Sequence, residues 1–243
     1  MEAIDRYESA VRPARERFTR SPALVEVLSP DVDPRLLESF LVHFCALGVG
    51  VTKPVEGWIR RAGEACIARG LEDLGRALVR HARDEAGHDR LFEADARLLA
   101  SRWNAAGRAP LDVDRLLARP PGPGATRYRQ LHEETIGGDA PYAQLAIEYE
   151  IERLAPGVGQ DLLRTCVAVL GREVLEGLTF LREHIDLDVG HTHFNRRRLA
   201  TLLEERPDAS GPLARAGRDA LDAYAAFFSD CLEAARGVLA PVR

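Results

Sequence analysis

The sequence predicts an all-α protein, and three observations support that fold class. Apolar residues recur at three- and four-residue spacing through most of the 243 residues, as they do on the buried face of a helix. No run of alternating apolar and polar residues is long enough to indicate a strand. With 46% apolar residues, the chain can bury a core of ordinary size.

Proline and glycine mark the ends of the helices in the first third of the chain. We predict a first amphipathic helix over about residues 2–19, with Pro13 as a break or kink inside it. The pair Asp33-Pro34 is a favourable cap and first turn, and it introduces a helix over residues 35–47. A further helix over residues 54–70 begins with proline and ends with glycine.

A long helix over about residues 71–104 is predicted next, and the pattern then breaks at residues 119–124, Arg-Pro-Pro-Gly-Pro-Gly, which predict a surface loop. The stripe of the long helix carries Leu74, Leu78, His81, Glu85, His88 and Phe92. Beyond the loop, helices are predicted over residues 127–134, 142–154, 159–170, 183–203 and 211–238. Because composition does not change across the loop, we predict a single helical domain over residues 1–243.

Charge and cysteine content exclude several classes of protein. The formal net charge is −5 and the sequence pI is about 5.9, which disfavours a nucleic-acid or anionic-lipid binder. No stretch approaches about eighteen consecutive apolar residues, and the first residues lack a signal-peptide core, so a soluble, cytoplasmic protein with no membrane partner is predicted. Scattered spacing predicts buried free thiols at all four cysteines, Cys45, Cys66, Cys166 and Cys231.

One predicted helix carries a motif that suits a metal ion. His184, Asp188 and His191 lie within about 60° of one another at 100° per residue, so they form one stripe of the helix. Imidazole nitrogen and carboxylate oxygen together suit iron or manganese better than zinc. His193 lies about 180° from His184 and is predicted to be a surface residue. A capping or solvated polar face is the alternative interpretation.

A second motif lies in the predicted long helix. Glu85 and His88 are three residues apart and can reach a common point, which is the arrangement that helical di-iron carboxylate proteins use. A solvated surface pair is the alternative. His81 shares the stripe one turn earlier, either as a ligand or, more commonly for a core histidine, as a hydrogen-bond partner.

A third segment, residues 146–156, supplies glutamates among apolar neighbours. Glu148 and Glu152 share a face, whereas Glu150 is predicted to point elsewhere into solvent. A buried carboxylate needs a metal or an arginine partner, so whichever glutamate faces inward is a candidate ligand, unless it forms a surface pair with Arg153. Together the three segments offer three nitrogen and three oxygen ligands, enough for two first-row metal ions with open positions.

These motifs, in this order, resemble those of the heme-oxygenase-like di-iron oxidases and oxygenases. In that family, one core helix gives Glu and His, a second gives Glu, and a third gives His-x3-Asp-x2-His; the resemblance spans residues 71–203. It favours Glu152 over Glu148, because the phrase Tyr-Glu-Ile-Glu before a proline is similar to the family's second helix. The ligand set it implies is Glu85, His88, Glu152, His184, Asp188 and His191.

The resemblance implies a heme-oxygenase-like helical bundle that activates dioxygen with two Fe(II) ions, with manganese as an option at one site. The implied reaction is oxidation of a small organic substrate, by amine or amino-acid N-oxygenation, oxidative C–C cleavage or desaturation, in specialised metabolism. It also implies O2 as co-substrate, an external reductant and a homodimer. The alternatives are a metal-independent enzyme of the same fold, of the thiaminase-like or quinone-forming type, and a non-catalytic helical binding protein. An arginine is available to recognise a substrate carboxylate, but no particular one is indicated.

Overall fold

The structure, a computed structural model, describes residues 3–240, and within that range it contains helices and no strand, which confirms the all-α prediction. The α-helices are α1 Ala3–Thr19, α2 Pro22–Val27, α3 Pro34–Thr52, α4 Val55–Ala68, α5 Glu72–Asp84, α6 Asp89–Ala105, α7 Val113–Leu117, α8 Pro123–Gly137, α9 Gln144–Glu152, α10 Gln160–Leu170, α11 Thr179–Glu205 and α12 Ser210–Leu239. Residue 2, the predicted start of the first helix, lies outside the described residues.

Helix α3 lies at the centre of the bundle. Nearly every residue from Leu36 to Ala46 is buried, because α6 and α12 pack against it. Its one buried acidic side chain, Glu38, is paired with Arg102 and Arg108. The segment Pro34–Ala68 contains an 18-residue window that is apolar enough to cross a membrane by composition, but 67% of that window is buried inside the protein. Such burial is typical of a helix in the core of a folded protein.

Helix α12 forms the second axis of the bundle and packs against α1, α3, α8 and α9. Its phenylalanines meet an aromatic cluster from α1 and α3: Phe228 lies 5.9 Å from Phe18 and 5.3 Å from Phe44, centroid to centroid. Helix α9 is held between α12 and α11, and α11 also contacts α6. The helices that carry the predicted ligands are therefore neighbours in the interior.

Several helix ends follow the predicted signals. Asp33 caps α3 by accepting a hydrogen bond from the backbone N–H of Arg35, at 2.8 Å. Pro54 is the N-cap residue of α4, and Gly70 follows that helix with a φ of +79°. The loop predicted at residues 119–124 is present, although α8 already begins at Pro123, before the predicted start at residue 127.

The predicted helix over residues 71–104 is wrong in one respect that concerns the site. It is two helices, α5 and α6, separated by a turn at residues 85–88. Gly87 adopts a φ of +88°, which a glycine reaches without steric cost, and this turns the chain between the helices. The apolar spacing continues on both sides of the turn, so periodicity alone does not reveal the break.

Two further predictions have clear outcomes. Pro13 was expected to break or kink the first helix, but α1 continues through it from Ala3 to Thr19. The four cysteines are all buried and free, as predicted from their spacing.

Candidate metal centre

The turn between α5 and α6 presents two of the predicted ligands. Glu85 Oε2 lies 3.0 Å from His88 Nδ1, and this ring nitrogen is in turn 3.1 Å from Nε2 of His184 on α11. The pair therefore comes from a turn and not from a helical stripe. The turn still directs both side chains toward the interior, because Glu85 and His88 are each only partly exposed and face α11.

Helix α11 supplies three more predicted ligands from one stripe. His184 and Asp188 are buried, and His191 is half-buried. The Nδ1 atom of His184 bonds to the carbonyl of Phe180 at 2.8 Å and therefore acts as donor, which leaves Nε2 free to face His88. The hydrogen bond fixes both the ring orientation and the tautomer, as is usual for metal-binding imidazoles.

Helix α9 brings Glu152 to the same place. Its Oε1 atom lies 2.7 Å from His81 Nε2 and 3.9 Å from His191 Nδ1. Its other oxygen, Oε2, accepts a hydrogen bond from Asn195 of α11 at 2.6 Å. Glu152 is thus oriented by one oxygen and faces the histidines with the other.

The donor atoms form two overlapping groups that share Glu85. One group is Glu85, His88 and His184; the other is His81, Glu85, Glu152 and His191, and within each group all donor atoms lie within 4.8 Å of one another. Metal–ligand bonds of about 2.1 Å place donors on one ion roughly 3 to 4.2 Å apart. At up to 4.8 Å between donors, the groups are only slightly wider than this, so they suit two adjacent metal positions with Glu85 common to both.

The electrostatics of the cluster also suit a cation. Burial, with repulsion from Glu85 and Asp188, raises the pKa of Glu152 well above its ordinary value. Burial also raises the pKa of Asp188. Within residues 3–240, the ion-pair partners of these three carboxylates are histidines, with no arginine or lysine among them. Divalent cations would offset the cost of burying this charge.

Two buried atoms at the centre have no hydrogen-bond partner among the described residues. They are Asp188 Oδ1 and His191 Nδ1, which lie 3.4 Å apart. Buried polar atoms are rarely left unpaired, and here both are atoms that bind metal ions. The residues present therefore fit a pair of first-row metal ions. The six predicted ligands lie together around this point, and their role as ligands stays a prediction.

The neighbouring candidates have different outcomes. His81, left open between ligand and hydrogen-bond partner, lies in the cluster and contacts Glu152. His193 is exposed, as the helical arithmetic predicts. The prediction that Glu150 points into solvent is wrong: it is 1% exposed and accepts hydrogen bonds from Tyr7 and Arg15 of α1. Arg15, on a helix distant in the sequence, stabilises the buried carboxylate of Glu150, and the local sequence does not indicate this partner. The surface pair weighed for Arg153 is formed with Glu8 instead.

A cavity of about 110 Å³ adjoins the cluster. Its polar side is formed by Glu85, Glu148, Glu152, His184 and Asp188, and most of the remaining wall is aliphatic or aromatic. Phe180 belongs to that wall and stacks on His184 at 3.8 Å between ring centroids. A small organic molecule in this cavity would touch the candidate metal ligands and would be shielded from water by apolar side chains.

Sequence reasoning did not identify two of the residues that support the centre. Asn195 follows His184 by eleven residues, which is about 20° around a helix, so the same stripe arithmetic could have found it. Asp95 of α6 caps α11 by accepting hydrogen bonds from the backbone N–H groups of Thr179 and Phe180, at 3.0 and 2.9 Å. No local sequence signal links Asp95 to a helix 84 residues later.

Comparison with known proteins gives matches in structure alone. No family model matches the sequence, and no curated protein matches it. A solved domain of unknown function with a heme oxygenase-like fold, from Shewanella denitrificans, is similar with a TM-score of 0.72 and 17% identity, covering 93% of this chain and 90% of that one. The chain has the heme-oxygenase-like fold.

Two further solved structures share this heme-oxygenase-like architecture. A TenA homolog from Pseudomonas syringae has a TM-score of 0.68 and 15% identity, covering 94% of this chain and 92% of that chain. A CADD-like protein of unknown function from Nostoc punctiforme has a TM-score of 0.62 and 14% identity, covering 96% of this chain and 99% of that chain. At identities this low, the structural similarity shows the fold alone. The activity has to be argued from the candidate site.

Proposed function

We propose that this heme-oxygenase-like protein is a non-heme di-iron oxidase or oxygenase that oxidises a small organic substrate with O2. The observation that carries the proposal is the pair of donor groups that share Glu85 beside an apolar cavity. Mixed imidazole and carboxylate donors favour iron or manganese over zinc. Among residues 3–240, Glu85, Glu152 and Asp188 have histidines and no arginine or lysine as ion-pair partners, which is otherwise difficult to explain for carboxylates with so little exposure.

The residues of the chain have separate tasks in this proposal. Glu85, His88 and His184 would hold one iron ion, and Glu85, Glu152 and His191 would hold the other, with Asp188 beside them. When bound, the two Fe(II) ions supply electrons for the reduction of O2, and an external reductant would restore them. Phe180 and the other apolar side chains exclude water from the substrate.

The metal-independent alternative with a nucleophilic cysteine has little support in the structure. Burial raises the pKa of Cys66 and of Cys166 to about 12, and it raises the pKa of Cys45 and of Cys231 well above the ordinary value. None of the four thiols lines the cavity beside the cluster. A thiolate nucleophile is therefore not available at neutral pH at any of these positions.

Anaerobic loading with Fe(II), followed by exposure to O2, tests the proposal. We expect about two irons per chain, an O2-dependent absorbance change and consumption of O2. His184→Ala should lose iron and O2 consumption, whereas His193→Ala, an exposed histidine on the same helix, should retain both. A wild-type chain that takes up no iron under these conditions would refute the proposal.

A further inference from the structure

One buried carboxyl group of the cavity has no role in the centre described above. Glu148 lies one helical turn before Glu152 on α9, is 4% exposed and lines the same cavity. Neither of the two donor groups includes it. A carboxyl group is costly to bury, so its position at the wall of a substrate-sized cavity calls for a partner.

Glu148 is held in a defined orientation by a chain of buried side chains. The amide nitrogen of Gln144 donates one hydrogen to Glu148 Oε1 and the other to His132 Nδ1, the latter at 2.7 Å. Burial lowers the pKa of His132 to about 3, so this imidazole is neutral and its Nδ1 accepts. His132 is fixed in turn by stacking on Trp58 at 4.0 Å. The carboxyl group is therefore preorganised.

The charge of the cavity wall discriminates between classes of substrate. Glu85, Glu148, Glu152 and Asp188 line it, and no arginine or lysine of the described chain does. A substrate carboxylate would therefore find no arginine or lysine in the wall. A protonated amine finds a carboxylate in Glu148, and a neutral amine can accept a proton from the same group, so either form makes the hydrogen bond.

We propose that the cavity selects an apolar amine without a carboxylate, and that Glu148 holds the amine nitrogen. This inference rests on the proposed function, because the amine would lie beside the iron-binding cluster. The volume of about 110 Å³ limits the buried body of the substrate. An apolar cavity of about 150 Å³ is known to hold benzene, so this smaller cavity limits the buried body to at most about one ring or a short alkyl chain.

Binding of three matched probes tests the inference without turnover. Benzylamine, benzyl alcohol and benzoate differ in the head group, and each is titrated calorimetrically into anaerobic Fe(II)-loaded protein and into the metal-free chain, where no iron can bind the carboxylate of benzoate. We expect benzylamine to bind roughly tenfold more tightly than benzyl alcohol in both forms and than benzoate in the metal-free chain, as a charge-assisted hydrogen bond predicts. Benzyl alcohol binding equally or more tightly in either form, or benzoate doing so in the metal-free chain, would overturn the inference, since another group would then recognise the head group.

Variants of Glu148 assign the preference to that residue. Glu148→Gln removes the carboxylate and should abolish the preference for benzylamine while the iron content stays that of the wild type. Glu148→Asp should retain a weaker preference, and the exposed Glu64→Gln on α4 should change nothing. Retained preference in Glu148→Gln, or loss of iron from it, would overturn the inference, because Glu148 would then be idle or a metal ligand.

The same measurements separate this inference from the proposed function. If the wild-type chain binds no iron, the proposed function is wrong, and the three titrations on the metal-free chain still show which head group the cavity prefers. If the wild type binds iron but does not prefer benzylamine, the proposed function stands and only the inference about the substrate fails.

Discussion

Glu85 is the side chain on which both halves of the candidate centre depend. It contacts His88 through one oxygen and lies 3.5 Å from His191 through the other. Burial raises its pKa, but the hydrogen bond and charge of His88 outweigh burial and leave the pKa below the ordinary value. Glu85, which belongs to both donor groups, is therefore ionised, whereas the pKa values of the nearby Glu152 and Asp188 are raised.

Asn195 is expected to position Glu152 for metal binding. Replacing Asn195 with alanine removes the donor to Glu152 Oε2, so the carboxylate loses its orientation. Loss of such a supporting hydrogen bond costs about 10- to 100-fold in metal affinity. We expect that loss at one of the two positions in an anaerobic Fe(II) titration, with His193→Ala as the control. Two unchanged affinities would show that Asn195 has no positioning role.

Glu148 gives a prediction for the metal-free protein. Burial, with repulsion from Glu152, raises its pKa well above the ordinary value of about 4.3. Its contribution to stability is therefore present below pH 4.3 and is lost as pH rises through the folded-state pKa. The variant Glu148→Gln has no titrating group at this position. Its free energy of unfolding should therefore rise relative to that of the wild type from about pH 4 upward.

Urea unfolding of both proteins, with a chelator present, at pH values from about 4 to 8 measures this difference. A difference that stays constant with pH would contradict the raised pKa. The pH dependence of the many other carboxyl groups cancels, because the two proteins share them.

Several of the candidate site residues could be predicted from the sequence because they follow regular helical spacing. His184, Asp188 and His191 obey helical arithmetic, which works because α11 is regular from Thr179 to Glu205. The inward position of Glu152 and the burial of Glu150 were not derivable in the same way. Both depend on which helix lies opposite α9, and Arg15, the partner of Glu150, is 135 residues away.

At the scale of elements, α11 depends on a cap supplied by α6. The residue before α11, Leu178, has no side chain that can cap, and Asp95 takes that role. Asp95→Ala should lower the free energy of unfolding by about 1 to 3 kcal/mol, since a buried cap with two backbone partners is lost. Chemical denaturation measures the change, and Asp208→Ala, at an exposed residue, is the control. Equal stability of the two variants would contradict this role.

The close packing of α4 on α5 depends on glycine at the contact, and it predicts how substitutions there change stability. A Cβ atom at Gly63 would lie 2.6 Å from the carbonyl oxygen of Gly75, so Gly63→Ala forces the helices apart. We expect a loss of roughly 1 to 3 kcal/mol despite the better helix propensity of alanine. Gly57→Ala, on the same helix with open space around it, should gain up to about 1 kcal/mol. Thermal or urea unfolding distinguishes the two, and a stabilised Gly63→Ala would contradict the packing.

The turn between α5 and α6 shows why an element boundary can escape sequence analysis. Apolar spacing runs through residues 71–104, and a single glycine in a helical pattern is tolerated, so Gly87 gave no decisive signal. With its positive φ, Gly87 lies in the turn between α5, which packs on α4, and α6, which packs on α3. The prediction that Glu85 and His88 lie close together holds even though the helix boundary was wrong, because residues three apart stay close in a turn as well as in a helix.

For the whole molecule, the fold was the most predictable level. Helical periodicity, caps and the absence of alternating runs depend on local spacing, and they give an all-α bundle without knowledge of how the helices pack. The cavity and its charge were not predictable, because its wall combines side chains from helices that are spread along the sequence: α1, α3, α4, α8, α9, α10, α11 and α12. Arginines are numerous in the sequence, but none of those in residues 3–240 lines the cavity, and this outcome depends on how the helices pack.

An iron-loaded crystal tests the central claim most directly, through an anomalous difference map at the iron edge. We expect two peaks per chain on either side of Glu85, one beside His88 and His184 and the other beside Glu152 and His191. A map with no peak in that interior region, or with iron only at surface carboxylates, would contradict it.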